Sequence, residues 1–140
     1  MHVRKMRIED YDEMYILWRS SRGIGVNDFD DSKNGIDKFL ARNPESCFIA
    51  EMADKIIGTI LAGSDGRRGH IYHLAVDEKM RNKGIATKLV NIALLSLKQI
   101  GITKVTLMVF KDNYIANKFW EKSGFTERED LIYMDRKLIE

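Results

Sequence analysis

Apolar and polar positions recur along this chain with two different periods, and the changes from one to the other mark its elements. Residues 2–8 alternate loosely, with Arg4, Met6 and Ile8 on one face, which predicts a first strand. Tyr11, Met14, Tyr15 and Trp18 then recur at helical spacing behind Asp10, and Glu13 sits where a capping box would place its second acid. The stripe they form should face a sheet. Gly23, Gly25 and the acidic run 28–31 read as a loop, and Ile36, Phe39 and Leu40 as a short helix ending before Pro44.

Residues 47–50 and 55–62 are β-type runs joined by Met52, Ala53 and Asp54, which predicts an antiparallel hairpin. A glycine-rich loop, 63–69, leads to residues 71–76, whose apolar density predicts a central strand buried on both faces. From about Gly84 to Ile100, Ile85, Leu89, Ile92, Ala93, Ser96 and Ile100 share one side of a long helix that Gly101 stops. Residues 104–110 read as a buried strand, and because a helix links it to the strand before, the two should be parallel. A last helix over 113–122 turns Ala116, Phe119 and Trp120 inward and closes at Gly124, with further strands expected near Phe125 and over 131–136. The expected architecture is one α/β domain, 1–140, built on a mixed sheet.

Composition narrows the function. With 140 residues, 44% of them hydrophobic, the chain can bury a core without metal or disulfide staples. Its lone Cys47, in an apolar strand, reads as packing and excludes an internal disulfide. No stretch approaches the roughly 20 apolar residues of a membrane span, and the opening Met-His-Val-Arg-Lys lacks the apolar core of a signal peptide, so a cytoplasmic protein without membrane contact is expected. Lys and Arg total 23 against 21 Asp and Glu, too even a balance to argue by itself for a nucleic-acid or membrane surface, and no nucleic-acid partner is expected. Distribution says more. From Lys79 to Lys111 there are seven bases and no acid, which marks a candidate anion site.

Within that stretch, Asp77 to Lys83 form a basic turn between the central strand and the long helix. The first N–H groups of a helix have no intrahelical partner and carry partial positive charge, so they attract phosphate. Gly84 keeps a side chain out of that approach, Arg81 and Lys83 add charge, and Thr87 offers a hydroxyl. Neither Gly-x-Gly-x-x-Gly nor Gly-x4-Gly-Lys-Ser/Thr is present, so dinucleotide and triphosphatase readings fail. The pattern Arg81-x-x-Gly84-x-Ala86 after Leu74-Ala75-Val76 instead resembles the acetyl-coenzyme A loop of the GNAT family of N-acetyltransferases, Arg/Gln-x-x-Gly-x-Gly/Ala. Asn113-x-x-Ala116-x-x-Phe119-Trp120-x-x-x-Gly124-Phe125 resembles the family's second signature, Asn-x-x-Ala-x-x-Phe-Tyr-x-x-x-Gly-Phe.

The resemblance implies a GNAT fold: a mixed, mostly antiparallel sheet of six to seven strands, about four flanking helices, and two parallel central strands that splay to admit the pantetheine arm. It implies acetyl-coenzyme A as donor, with no metal. By it, Leu74, Ala75 and Val76 border the pantetheine, and the backbone of Arg81, Asn82, Lys83, Gly84, Ile85, Ala86 and Thr87 holds the pyrophosphate. Asn113, Ala116 and Phe119 complete the cofactor contacts, Asn113 serving equally as a helix cap.

Acetyl transfer to an amine requires a neutral amine, and histidine titrates in the useful range. His70 and His73 are the internal histidines, and their odd separation predicts opposite faces of a strand, which argues against a shared metal. His70 and Tyr72 fall on one face, at positions where relatives place acidic or histidine bases, so His70 is the preferred base; the plainer alternative is a polar residue at a loop-to-strand junction. Glu51 is a second candidate base whose default is a solvated hairpin residue. Trp120 departs from the family, whose tyrosine there protonates the leaving thiolate, a task an indole N–H cannot do. Tyr114 and Tyr133 are the replacements in view. The leading expectation is acetyl transfer to a small-molecule amine or a protein or peptide amine, by direct attack in a ternary complex, with a homodimer as the candidate assembly. The rival is a noncatalytic acyl-coenzyme A sensor. The cluster Asp28, Asp30 and Asp31 hints at a cationic acceptor, although an acidic loop is usually only solvated.

Overall fold

Five strands form one sheet in the computed structural model: β1 His2–Lys5, β2 Phe48–Met52, β3 Lys55–Ser64, β4 Gly69–Val76 and β5 Val105–Leu107, in that spatial order. The structure describes residues 1–21, 27 and 29–139, in two units, Met1–Met108 and Val109–Glu140. Within the first unit all neighbouring strands are antiparallel except β4 and β5, which run parallel. The crossover between them carries α3, Ile85–Gln99, as the intervening helix requires.

The hairpin joining β2 and β3 turns through Ala53 and Asp54, both with positive φ (50° and 61°), the twist that antiparallel strands favour in a tight connection. On one face of the sheet lie α1, Tyr11–Ser20, and α2, Lys33–Arg42. Their Met14, Trp18 and Ile36 pack with Ile49, Leu61 and Ala75 in a single buried cluster. The face toward α3 is kept close by small residues. A Cβ at Gly58 would stand 3.0 Å from Leu89, and one at Gly69 would stand 3.2 Å from Leu97.

Local chemistry departs from the sequence reading at the start of α1. Asp10 occupies the N-cap position but does not cap. Its carboxylate instead accepts from the Arg4 guanidinium at 2.8 and 2.9 Å and from the Arg7 N–H at 2.8 Å. Glu13 accepts from the Ile56 N–H at 2.6 Å, so the expected capping box gives way to a tie between α1 and β3. The start of α2 is capped by Ser32, whose hydroxyl accepts from the Gly35 N–H at 3.0 Å.

Among the described residues, five strands stand where six to seven were expected. The run 104–110 contributes only three residues to the sheet, and its half-buried and exposed positions alternate rather than being buried throughout. The expected strands near Phe125 and over 131–136 have no ladder partner among the described residues. Alternation supplies a face, but a strand exists only where its backbone pairs with a neighbour.

In the second unit, α4 spans Tyr114–Lys122. Asn113 caps it, accepting from the Ala116 N–H at 3.2 Å, and Gly124 ends it with φ 94°. Phe119, Trp120 and Phe125 stack edge to face in series, with ring centroids 5.0 and 5.3 Å apart.

Candidate active site

A slip in one ladder organises the centre of the sheet. Leu61 of β3 pairs with His73 and Ala62 pairs with Ile71, leaving Tyr72 as an extra residue in β4. Such a bulge resets the side-chain alternation. His70 stands opposite Gly63, whose missing side chain would meet Phe39 and Asn43, so His70 points toward α2. Tyr72 packs on Phe39 at 5.3 Å and His73 on Trp18 at 4.8 Å, so both also face the layer of α1 and α2. The expectation that His70 and His73 point to opposite faces is thereby corrected; parity fails where a strand carries one residue more than its partner. Among the described residues, no group of three or more His, Cys, Asp or Glu is arranged to hold a metal.

His70 lines a cleft of ≈ 220 Å³ with Ser64, Asp65, Arg68, Tyr72 and Thr106. Its Nδ1 lies 2.8 Å from Thr106 Oγ1, and burial pushes the imidazole below its ordinary pKa, which favours the neutral ring. Thr106 had no signal of its own in the sequence. It meets His70 because the parallel register puts the two directly across from one another.

His73 is spent differently. Its Nε2 lies 3.3 Å from the carboxylate of Asp31, and both side chains are almost fully buried. Asp31 also accepts from the Asn27 N–H at 2.7 Å, and its carbonyl accepts from the Tyr11 hydroxyl at 2.6 Å. The expected solvated acidic loop is therefore pinned at Asp31, while Gly23, Gly25 and Asp28 lie outside the described residues. Glu51 is engaged by Arg4 at 3.3 Å, inside a bridge that also holds Asp10. Cys47 is buried and donates to the Ala62 carbonyl at 3.2 Å, and burial pushes its thiol up to about 12, so it packs and does not react.

On its other side, β4 offers an open edge. Its pairing with β5 ends at Ile71 and Leu107, so residues 72–76 have no strand beside them there among the described residues of this unit. The Asp77 N–H donates to the Ile57 carbonyl at 2.8 Å, which marks that opposed pair as hydrogen-bonded. Pairs alternate along an antiparallel ladder, so the groups of Ala75 face β3 while those of Leu74 and Val76 face the open edge. Beyond Val76 the chain makes a 3-10 turn, Glu78–Met80, with the Asp77 carboxylate accepting from the Lys79 N–H at 3.0 Å. Asn82 (φ 63°) and Gly84 (φ 79°) then bend it left-handedly into α3.

Gly84 sits at the N-cap of α3, and no side chain caps that end. A Cβ there would meet nothing within 4 Å, so the glycine answers to its positive φ and leaves the approach bare. The groups of Ile85, Ala86 and Thr87 begin the helix, and no ion pair engages Arg81 or Lys83 among the described residues. A strand edge whose outward groups have no ladder partner in this unit among the described residues thus runs into an uncapped, basic helix start, where N–H groups and partial positive charge favour an anion.

The model of the acetyltransferase (GNAT) family matches residues 11–125, and the chain belongs to that family. Acetyl-coenzyme A is the donor the family uses. Acetyltransferase SG1711 of Sodalis glossinidius is 31% identical over 140 residues, covering 100% of this chain and 97% of that protein. The crystal structure of Ard1 from Thermoplasma volcanium superposes with a TM-score of 0.79 at 24% identity, over 89% of this chain and 82% of that one. The PaiA N-acetyltransferase from Thermoplasma acidophilum, solved in complex with coenzyme A, gives 0.77 at 22% identity over 89% of each chain. No helix among the described residues is long and apolar enough to cross a membrane.

Proposed function

We propose that this chain transfers acetyl from acetyl-coenzyme A to a primary amine by direct attack in a ternary complex. The observation that carries the reading is the continuity of the open β4 edge at Leu74 and Val76 with the uncapped start of α3 at Gly84. The pantetheine amides take the place of a neighbouring strand at Leu74 and Val76. The pyrophosphate takes the N–H groups of residues 84–87, with Arg81 and Lys83 supplying charge. The similarly folded PaiA N-acetyltransferase was solved in complex with coenzyme A, which supports coenzyme A as the ligand class.

His70 is the base in this reading, because burial favours its neutral form, it lines the cleft beside β4, and no ion pair engages it among the described residues. Glu51 is left out, since Arg4 holds its charge. The amine nitrogen bonds to the acetyl carbon, the carbon–sulfur bond breaks with its electron pair on sulfur, and the amine proton passes to His70. Donors fixed ahead of the reaction are worth several kcal/mol to the developing oxyanion, and the outward N–H groups of β4 supply them. A thiol pKa near ~8.5 lets solvent return a proton to the departing sulfur. Small-molecule amines and protein or peptide amines both fit, and a cytoplasmic location and a homodimer belong to the same proposal.

Trp120 favours a second reading, a noncatalytic acyl-coenzyme A sensor, because it removes the family's tyrosine acid. A panel of amines incubated with acetyl-coenzyme A separates the two. Free thiol together with an acetylated amine by mass spectrometry supports the enzyme. Coenzyme A binding by calorimetry with no thiol release across the panel supports the sensor, and no binding at all overturns both.

A further inference from the structure

Thr106 stands directly across from His70 in the parallel register of β4 and β5, with its Oγ1 2.8 Å from His70 Nδ1. The same hydroxyl lies 3.5 Å from the Gly69 carbonyl oxygen. A threonine hydroxyl has one proton to donate and lone pairs with which to accept, whereas a carbonyl only accepts. With the hydroxyl proton directed to Gly69, the oxygen is left to receive a proton from the imidazole, and this is the arrangement taken up here. We propose that Thr106 is a positioning residue that fixes His70 as the Nδ1–H tautomer and leaves Nε2 with the lone pair that takes the proton of the acceptor amine. The assignment rests on His70 being the base.

Two observations and one chemical consequence support it together. The Tyr72 ring lies 4.5 Å from the imidazole and limits its rotation. Burial lowers the imidazole below its ordinary pKa, which favours the neutral ring and with it an Nε2 lone pair. When Nε2 takes up a proton, Nδ1–H keeps its contact with Thr106, so no hydrogen bond is broken as the ring becomes charged. The charged groups that line the same cleft are Asp65 and Arg68, from the turn between β3 and β4; Phe39 of α2 meets Tyr72, and β5 contributes only Thr106. Asp65 is occupied by the N–H groups of Arg67 and Arg68 at 2.7 and 2.8 Å and serves the turn.

The test is a nitrogen-15 correlation spectrum of the histidine rings, with the His70 signals identified by their loss in His70→Gln. The expected result is the Nδ1–H pattern in the wild type, lost in Thr106→Val and kept in Thr106→Ser. The His70 pKa read by titration should fall by about half a unit in Thr106→Val, as for one net hydrogen bond favouring the cation, and return in Thr106→Ser. An Nε2–H pattern in the wild type, or an unchanged pattern in a folded Thr106→Val, overturns the proposal. The wild-type spectrum alone decides it should the valine variant not fold. The base assignment is tested separately by the acidic limb of turnover in His70→Gln: an unmoved limb removes the base while leaving the tautomer result standing.

Discussion

Asp31 Oδ1 lies 3.3 Å from His73 Nε2, tying the segment between α1 and α2 to the middle of β4. His73 is also edge-on to Trp18, and its Nδ1 is buried without a partner among the described residues. A neutral ring donating from Nε2 to Asp31 leaves only a lone pair unpaired, whereas a charged ring leaves a buried N–H.

That difference gives a pH dependence of stability. Burial pushes His73 below its ordinary 6.5, and the opposing Asp31 carboxylate recovers only part of the shift. Below 6.5 the unfolded chain binds a proton that the folded chain declines, so stability is full above that value and declines as pH falls from it toward the lowered folded value. His70 adds a similar slope, because burial lowers it too. Melting temperatures from about pH 7.5 to about pH 5.5 should fall less steeply in His73→Gln than in the wild type. Equal slopes would show that His73 is not desolvated as described.

Trp18 Nε1 donates to Thr59 Oγ1 at 2.9 Å, and both residues are fully buried. Thr59→Val should cost about 1–3 kcal/mol by denaturant unfolding, since the indole N–H loses its acceptor out of reach of water. Adding Trp18→Phe to Thr59→Val should cost less than the two single changes summed, because the second removes the group the first strands. Strict additivity would mean that the bond contributes nothing.

These buried pairs show where sequence reading stops. Tyr11, Met14 and Trp18 declare an apolar helix face by spacing alone, and α1 is found at Tyr11–Ser20. Gly84 and Gly101 likewise bracket α3 as expected. Both follow from local chemistry. The partners of His70 and His73 do not, because they depend on which β4 residue lies opposite which residue of β3 and β5, and the bulge at Tyr72 changes that assignment without a glycine or proline to announce it. Asp10 and Glu13 fail as a capping box for a related reason. Asp10 is taken by Arg4 and the Arg7 N–H just before it, and Glu13 by the Ile56 N–H, 43 residues on, so neither is left to cap the helix.

Arg4 spans Asp10 and Glu51. Burial pushes the Asp10 carboxyl up, but the Arg4 guanidinium and the Arg7 N–H outweigh it and hold the group below its ordinary 3.8. The stability this contributes is present above 3.8 and lost as pH falls through the lowered folded value. Arg4→Met should therefore destabilise by about 1–3 kcal/mol near neutral pH and raise the midpoint of acid unfolding. An unmoved acid midpoint would assign the protection of Asp10 to Arg7 alone.

Gly84 and Gly101 lie at opposite ends of α3 with φ of 79° and 91°, and at neither would a Cβ meet an atom within 4 Å. Alanine at either position should cost about 1–2 kcal/mol, the penalty of left-handed backbone for a residue with a side chain, and lower the melting temperature to a similar degree. The two differ in what approaches them. In the proposed binding mode the methyl added at Gly84 occupies the space through which the diphosphate reaches the first N–H groups of the helix, whereas the C-terminal end at Gly101 presents carbonyls, which repel it. Calorimetric titration with coenzyme A should show at least about tenfold weaker binding, roughly 1.4 kcal/mol, for Gly84→Ala and wild-type binding for Gly101→Ala. Equal affinities in the two variants would place the diphosphate elsewhere, since strain has been matched and only the ligand's path differs.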